Sequence, residues 1–124
     1  MTDGSIRDWQ LAASSAMSRA DDDQCATKFA RLHMDHGKAW CAAKRAVNEW
    51  ILVDLGVASK VSGIVTQGRG TIQEWVTHFM VSYSLDAYKW EFARDIYGTK
   101  KVGFIDEYRI NLKRILINIH VRRI

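Results

Sequence analysis

EWVTHFMVSYS, residues 74–84, is the stretch that decides the fold. Trp75, Thr77, Phe79, Val81 and Tyr83 fall on one side of an extended chain. Val76, His78, Met80, Ser82 and Ser84 fall on the other. Successive strand side chains point to opposite faces, so this is a strand with one apolar face and one mixed face. The same period recurs further along. YKWEFA (88–93) sets Tyr88, Trp90 and Phe92 on alternate positions, and near the end Ile115, Ile117, Ile119 and Val121 alternate with Leu116, Asn118, His120 and Arg122. Upstream, WILVDLG (50–56) is almost continuously apolar, as a strand buried on both faces would be, and it is expected to end at Gly56. A short connection, VASK, then leads into a further run, KVSGIVTQ (60–67). The first third is polar and lacks a steady period: SSAMSRADDDQ (14–24) reads as loop, and CATKFARLHM (25–34) as loop or strand. Short strands with turns between them, and no long helix, predict an antiparallel sandwich or barrel.

The chain has 124 residues, no proline, no low-complexity tract and no internal repeat, which fits a single domain. At 48% hydrophobic residues with five tryptophans it can fill a core. No apolar run is long enough to span a bilayer, and MTDGSIRDWQ has no apolar segment of the kind a signal peptide carries. The net charge of +4 is unevenly spread: residues 1–93 carry 10 Lys/Arg against 11 Asp/Glu, and residues 94–124 carry 8 against 3. Basic tails can bind nucleic acid. Here the aromatics are not interleaved with the basic residues as a stacking platform requires, so the tail reads as the solvated face of a strand and no nucleic-acid partner is expected.

Cys25 and Cys41 match neither a C-x-x-C redox motif nor half of a usual zinc site. A bridge between them would close a loop of about 15 residues, worth roughly 3 kcal/mol in the chain-entropy model, and would require an oxidising compartment. The alternative is two free, partly buried thiols.

A wider frame emerges from the order of several motifs: LAASS (11–15), FARLH (29–33), AWCAA (39–43), EWILVDLG (49–56), KVSGIVTQGR (60–69), EWVTHFMVSYS (74–84) and Trp90. In this order and spacing they resemble the discoidin family, also called the F5/8 type C or coagulation-factor C domain, in its adhesion-type form. The resemblance is clear over residues 4–92 and weak over 97–124. It implies a distorted jelly-roll β-sandwich or barrel of two antiparallel sheets, with loops called spikes projecting from one end. It implies a non-catalytic, extracellular or cell-surface binding module that takes part in cell adhesion or matrix recognition within a longer parent chain. A lectin-like carbohydrate-binding module and a peripheral phospholipid binder are the alternatives. In such a setting a Cys25–Cys41 disulfide is expected. The family's flanking cysteines are missing from this sequence, which the resemblance reads as truncation at both ends. Its SDDG turn is SLDA here (84–87), so Ala87 stands where glycine is usual; that costs about 1 kcal/mol if the site needs positive φ.

On this frame the three spikes fall near Met17–Cys25, Met34–Trp40 and Gly68–Glu74. The candidate ligand-binding residues are Met17, Asp22, Met34, His36, Arg69, Thr71, Ile72 and Glu74, because loops on a rigid sandwich can vary without disturbing the core. Three adjacent carboxylates, Asp21 to Asp23, would repel an anionic membrane. They could supply oxygens to calcium, but adjacent residues converge poorly on one ion, so a solvated acidic loop is the plainer reading and no cofactor is expected. His33, Asp35 and His36 are metal-capable types, yet near-consecutive loop residues rarely surround one ion. Arg69, flanked by two glycines, can fork onto a carboxylate, a sulfate or sugar hydroxyls; equally it can pair with Glu74. Trp40, Trp50, Trp75 and Trp90 read as packed residues. The pocket in which some family members capture a C-terminal carboxylate is not expected, because Met17, Cys41 and Arg45 occupy its key places. No catalytic spacing of Ser/His/Asp or Cys/His is present, and GRG lies between strands, the wrong context for a phosphate loop.

Overall fold

The computed structural model describes residues 4–17, 24–46, 48–61, 64–70, 74–76, 78–93 and 111–120. Among the described residues, five strands form one antiparallel sheet: β1 (Leu11–Ala13), β2 (Glu49–Lys60), β3 (His78–Ser84), β4 (Glu91–Phe92) and β5 (Asn111–His120). Their order is β1-β2-β5-β3-β4, so the last of these five strands in sequence sits at the centre. Three short 3-10 turns, Asp8–Gln10, Thr27–Phe29 and Asp35–Gly37, are the helical elements among the described residues.

The alternation read from sequence sets the register. Ile117 of β5 lies opposite both Ile51 of β2 and Val81 of β3, and Ile119 lies opposite Glu49 and Phe79. Ile51, Phe79 and Val81 are the buried centre of one cluster, with Trp40, Leu55, Ile64, Val76 and Tyr83 packed against it. A second cluster joins Ile6 and Leu11 to Val53. Burial of such side chains is worth about 1.5–3 kcal/mol each against exposure, and the strand order makes that burial depend on β5 closing between β2 and β3, which are not neighbours in the sheet without it.

Several expectations are corrected. β2 does not end at Gly56: it continues through VASK to Lys60. The glycine instead marks an irregularity, with φ +77°, its N–H donated to Asp54 Oδ1 at 2.8 Å, and a register shift between Asp54 and Ser59. A residue free to adopt positive φ lets the strand kink and resume. Beyond Lys60 the described residues of KVSGIVTQ form no strand. YKWEFA contributes only Glu91–Phe92, because Asp86 Oδ1 takes the N–H groups of Tyr88 and Lys89 and holds them in a turn. Trp75 is not core but 43% exposed, since β3 begins at His78 and leaves it in the loop. On β3, Ser82 and Ser84 are as buried as Val81, so the face read as mixed is also covered.

Candidate functional site

The clearest construction lies at the end of the sheet where β2 begins. LAASS leads out of β1 and brings two hydroxyls onto one carboxylate: Ser14 and Ser15 both donate to Glu49 Oε2. Ser14 also exchanges bonds with the Trp50 backbone, and Ser15 Oγ accepts the Ala43 N–H at 3.0 Å. The Trp40 indole donates to the Ser15 carbonyl at 2.8 Å, which fixes that ring against the core. Glu49 is buried at 8% exposure. The Ser14 hydroxyl above all, then that of Ser15, holds its carboxyl below the ordinary glutamate value, against the opposing effect of burial. Hydroxyl donors suit a buried anion because each satisfies a lone pair that water has lost.

This clasp seats the loops above it. Met17 N–H donates to the Cys41 carbonyl at 2.8 Å, Cys41 N–H to the Cys25 carbonyl at 3.3 Å, and Ala39 N–H to the Gln24 carbonyl at 2.9 Å. Cys25 and Cys41 are disulfide-bonded, with Cα atoms 4.9 Å apart. The third loop is pinned to the same place by Arg69. Its Nε donates to the Gly37 carbonyl at 2.7 Å, Nη1 to Glu74 Oε2 at 3.3 Å and Nη2 to Gln24 Oε1 at 3.2 Å. Nη1 also lies 3.9 Å from the Cys41 sulfur. Glu74 in turn lies 3.6 Å from Arg45. A further link runs from the His33 N–H to Gln67 Oε1 at 2.8 Å. One planar guanidinium therefore ties together all three predicted loops, which a lysine's single ammonium could not do.

Of the two glycines around Arg69, Gly68 is the one the packing requires, and at Gly70 a Cβ would meet nothing within 4 Å. At Gly68 a Cβ would meet the Trp75 Cβ at 3.2 Å, so the two sides of the loop approach closely there. Arg69 N–H closes the loop onto the Glu74 carbonyl at 2.9 Å. Of the two sequence readings of Arg69, the pair with Glu74 is the one formed, and its side chain is only 10% exposed. Met17, Met34 and Glu74 are half-buried, and His36 is exposed at the outer turn with φ +56°. Asp22, Thr71 and Ile72 lie outside the described residues, as does the Asp21–Asp23 run. Among the described residues, no three metal-capable side chains converge. Sequence reading did not single out Gln24, Gln67 or Glu49; a lone glutamine or glutamate carries no motif, and only the folded path reveals what it reaches.

Comparison with known proteins places this geometry. A family model described as the F5/8 type C domain matches residues 10–124. Rat (Rattus norvegicus) lactadherin is 34% identical over 116 residues, 90% of this chain and 27% of that protein. Mouse (Mus musculus) retinoschisin is 37% identical over 69 residues, 55% of this chain and 31% of that protein. The chain thus spans less than a third of these curated relatives. The solved structure of discoidin II from Dictyostelium discoideum superposes with a TM-score of 0.58 at 20% identity, over 90% of this chain and 48% of that one.

Proposed function

The chain belongs to the F5/8 type C, or discoidin, family, with that family's all-β jelly-roll fold, and on that premise we propose that it is a non-catalytic extracellular module that recognises a cell-surface or matrix partner through its cross-linked loop end. The supporting observation is the combination of a locked base with an open rim. Disulfide, guanidinium and backbone bonds fix the loops from below, while His33, Asp35, His36, Gly68, Gly70 and Trp75 are exposed above them. A preorganised surface loses little conformational entropy on binding, which is what a recognition loop needs. An aromatic ring such as Trp75, apolar yet carrying an N–H, is a typical anchor for a protein contact. The disulfide supports the extracellular setting, since such bonds persist in oxidising compartments. The residues 1–124 are read as one such domain of a longer protein.

Attachment of cells and of purified matrix proteins to the immobilised domain tests this reading. Attachment should exceed an albumin surface and should fall about tenfold in Trp75→Ala and His36→Ala, which remove exposed anchors worth roughly 1–2 kcal/mol. Attachment no better than albumin, or rim variants that bind as well as the parent, would overturn it.

A further inference from the structure

We propose that the peptide bond between Arg45 and Ala46 is a nicking site for an extracellular trypsin-like serine protease. The sequence carries the dipeptide Lys-Arg twice, at 44–45 and at 113–114. The fold treats the two copies oppositely. Lys113 and Arg114 lie inside β5, the central strand, where Arg114 sits opposite both Asp54 of β2 and Ser84 of β3. Lys44 and Arg45 lie in the connection from the second loop to β2, outside every strand and 3-10 turn. Ala43, Lys44, Arg45 and Ala46 are all exposed there. A protease takes its substrate as an extended strand and pairs with the substrate's own backbone groups. In β5 those groups are taken by two neighbouring strands. At Lys44, Arg45 and Ala46 the backbone forms no hydrogen bond among the described residues.

The side chains suit the same chemistry. Arg45 reaches Glu74 at 3.6 Å with its side chain 46% exposed. A surface pair of this kind contributes little, so the guanidinium can move into the acidic specificity pocket of such a protease. Glu74 keeps its closer bond to Arg69 when it does. Small residues, Ala43 and Ala46, flank the pair, as at loop segments that proteases nick. The other basic side chains seen to be exposed, Arg7, Lys28, Lys60 and Lys89, sit on tied backbone. Arg7 N–H donates to Gln10 Oε1, the Lys28 carbonyl accepts Arg31 Nε, Lys60 is paired with Asn111, and Lys89 N–H donates to Asp86 Oδ1. Hydrolysis breaks the Arg45–Ala46 C–N bond. The oxygen of one water joins the Arg45 carbonyl to form a carboxylate, and its two protons end on the Ala46 amine as an ammonium. Cys25 and Cys41 both lie before the cut, so the disulfide does not span it. The halves stay joined by the β1–β2 pairing, by Ser14 on Glu49 and by the Arg69 fork. The nick thus parts the first two loops from the third covalently and leaves all three seated. The inference takes only the protease class from the extracellular reading and does not depend on what the rim binds.

The test is limited digestion of the intact, disulfide-bonded chain with trypsin, following new N-termini and fragment masses over time. Cleavage after Arg45 should be at least about tenfold faster than after Arg114, Arg7, Lys28, Lys60 or Lys89, because paired backbone is cut only once it opens. The products 1–45 and 46–124 should separate on a denaturing gel without reductant. A cut after Lys28, inside the disulfide loop, would instead leave its pieces joined until reduced. In native buffer the two products should elute together at the position of the uncut chain. Equal cleavage after Arg114 or after any of the other four, an Arg45–Ala46 bond that survives while they are cut, or halves that part in native buffer would each overturn the proposal.

Discussion

The two ends of the sheet are held together in different ways. At the end where β2 begins, the joints are long-range: Cys25 to Cys41, Arg69 to Gly37 and Gln24, and Ser14 and Ser15 to Glu49. At the opposite end the turns are closed locally, beside one long-range bond from Gln10 Nε2 to the Asp54 carbonyl at 2.7 Å. Ser84 Oγ accepts the N–H groups of Asp86 and Ala87, Asp86 takes those of Tyr88 and Lys89, and Asp54 takes that of Gly56. The locally built end also leaves apolar residues bare, with Val57 73% and Tyr88 90% exposed. Local side-chain bonds shape a turn cheaply but cannot hold separate loops in register; a binding rim made of several loops needs joints that cross the sequence. The two constructions should therefore respond differently to mutation.

The largest effect is expected from the disulfide. Replacing Cys25 and Cys41 together by serine should lower unfolding free energy by about 3 kcal/mol in urea denaturation. A loss below 1 kcal/mol would mean that the remaining loop bonds suffice. Next comes Arg69→Ala, which strips partners from Glu74, Gln24 and the Gly37 carbonyl and should cost about 2 kcal/mol. Arg69→Lys should recover only part of this, because the fork is lost. At the other end, Ala87 has φ +65°, a left-handed conformation that a Cβ disfavours. Ala87→Gly should stabilise by about 1 kcal/mol, seen as a raised urea midpoint. No gain there would show that the turn had already relaxed around alanine.

A contribution present in full at neutral pH and lost in acid belongs to Glu49. Its folded pKa lies below the ordinary glutamate value, so its stabilising effect is present above the unfolded pKa and fades as pH falls through the lower folded one. Urea midpoints measured from neutral to acid pH should therefore drop more steeply in the parent than in Glu49→Gln. Parallel curves would remove Glu49 from the account. The smallest change is expected at the exposed turn: Tyr88→Ser should shift stability by no more than about 0.5 kcal/mol, and a larger loss would show that this ring is covered in the folded protein.

Much of the fold was legible because alternation is a local signal. Phe79, Val81 and Tyr83 could be assigned to one face from spacing alone, and the Ile115–Ile119 run announced a strand of the same kind. Gly56 misled, since a glycine that ends a strand and one that kinks it read alike until Asp54 is seen bonding across it. Trp75 misled because the period extended past the true start of β3. At the candidate site, Arg69 between its glycines and the two cysteines were conspicuous in sequence, while Gln24 and Glu49 were silent. Their importance lies in what they meet, and the partners are up to 45 residues away.

By itself the sequence determined an antiparallel all-β fold and marked two cysteines able to join its loops, because side-chain period and residue chemistry are properties of short segments. Only the tertiary structure decided that β5 enters the middle of the sheet, that Arg69 points inward as a cross-link, and that of two Lys-Arg pairs one is held in β5 and the other stands exposed. Those outcomes depend on distant segments competing for the same neighbours. That competition is settled by packing and by satisfying buried charge, and no local pattern records it.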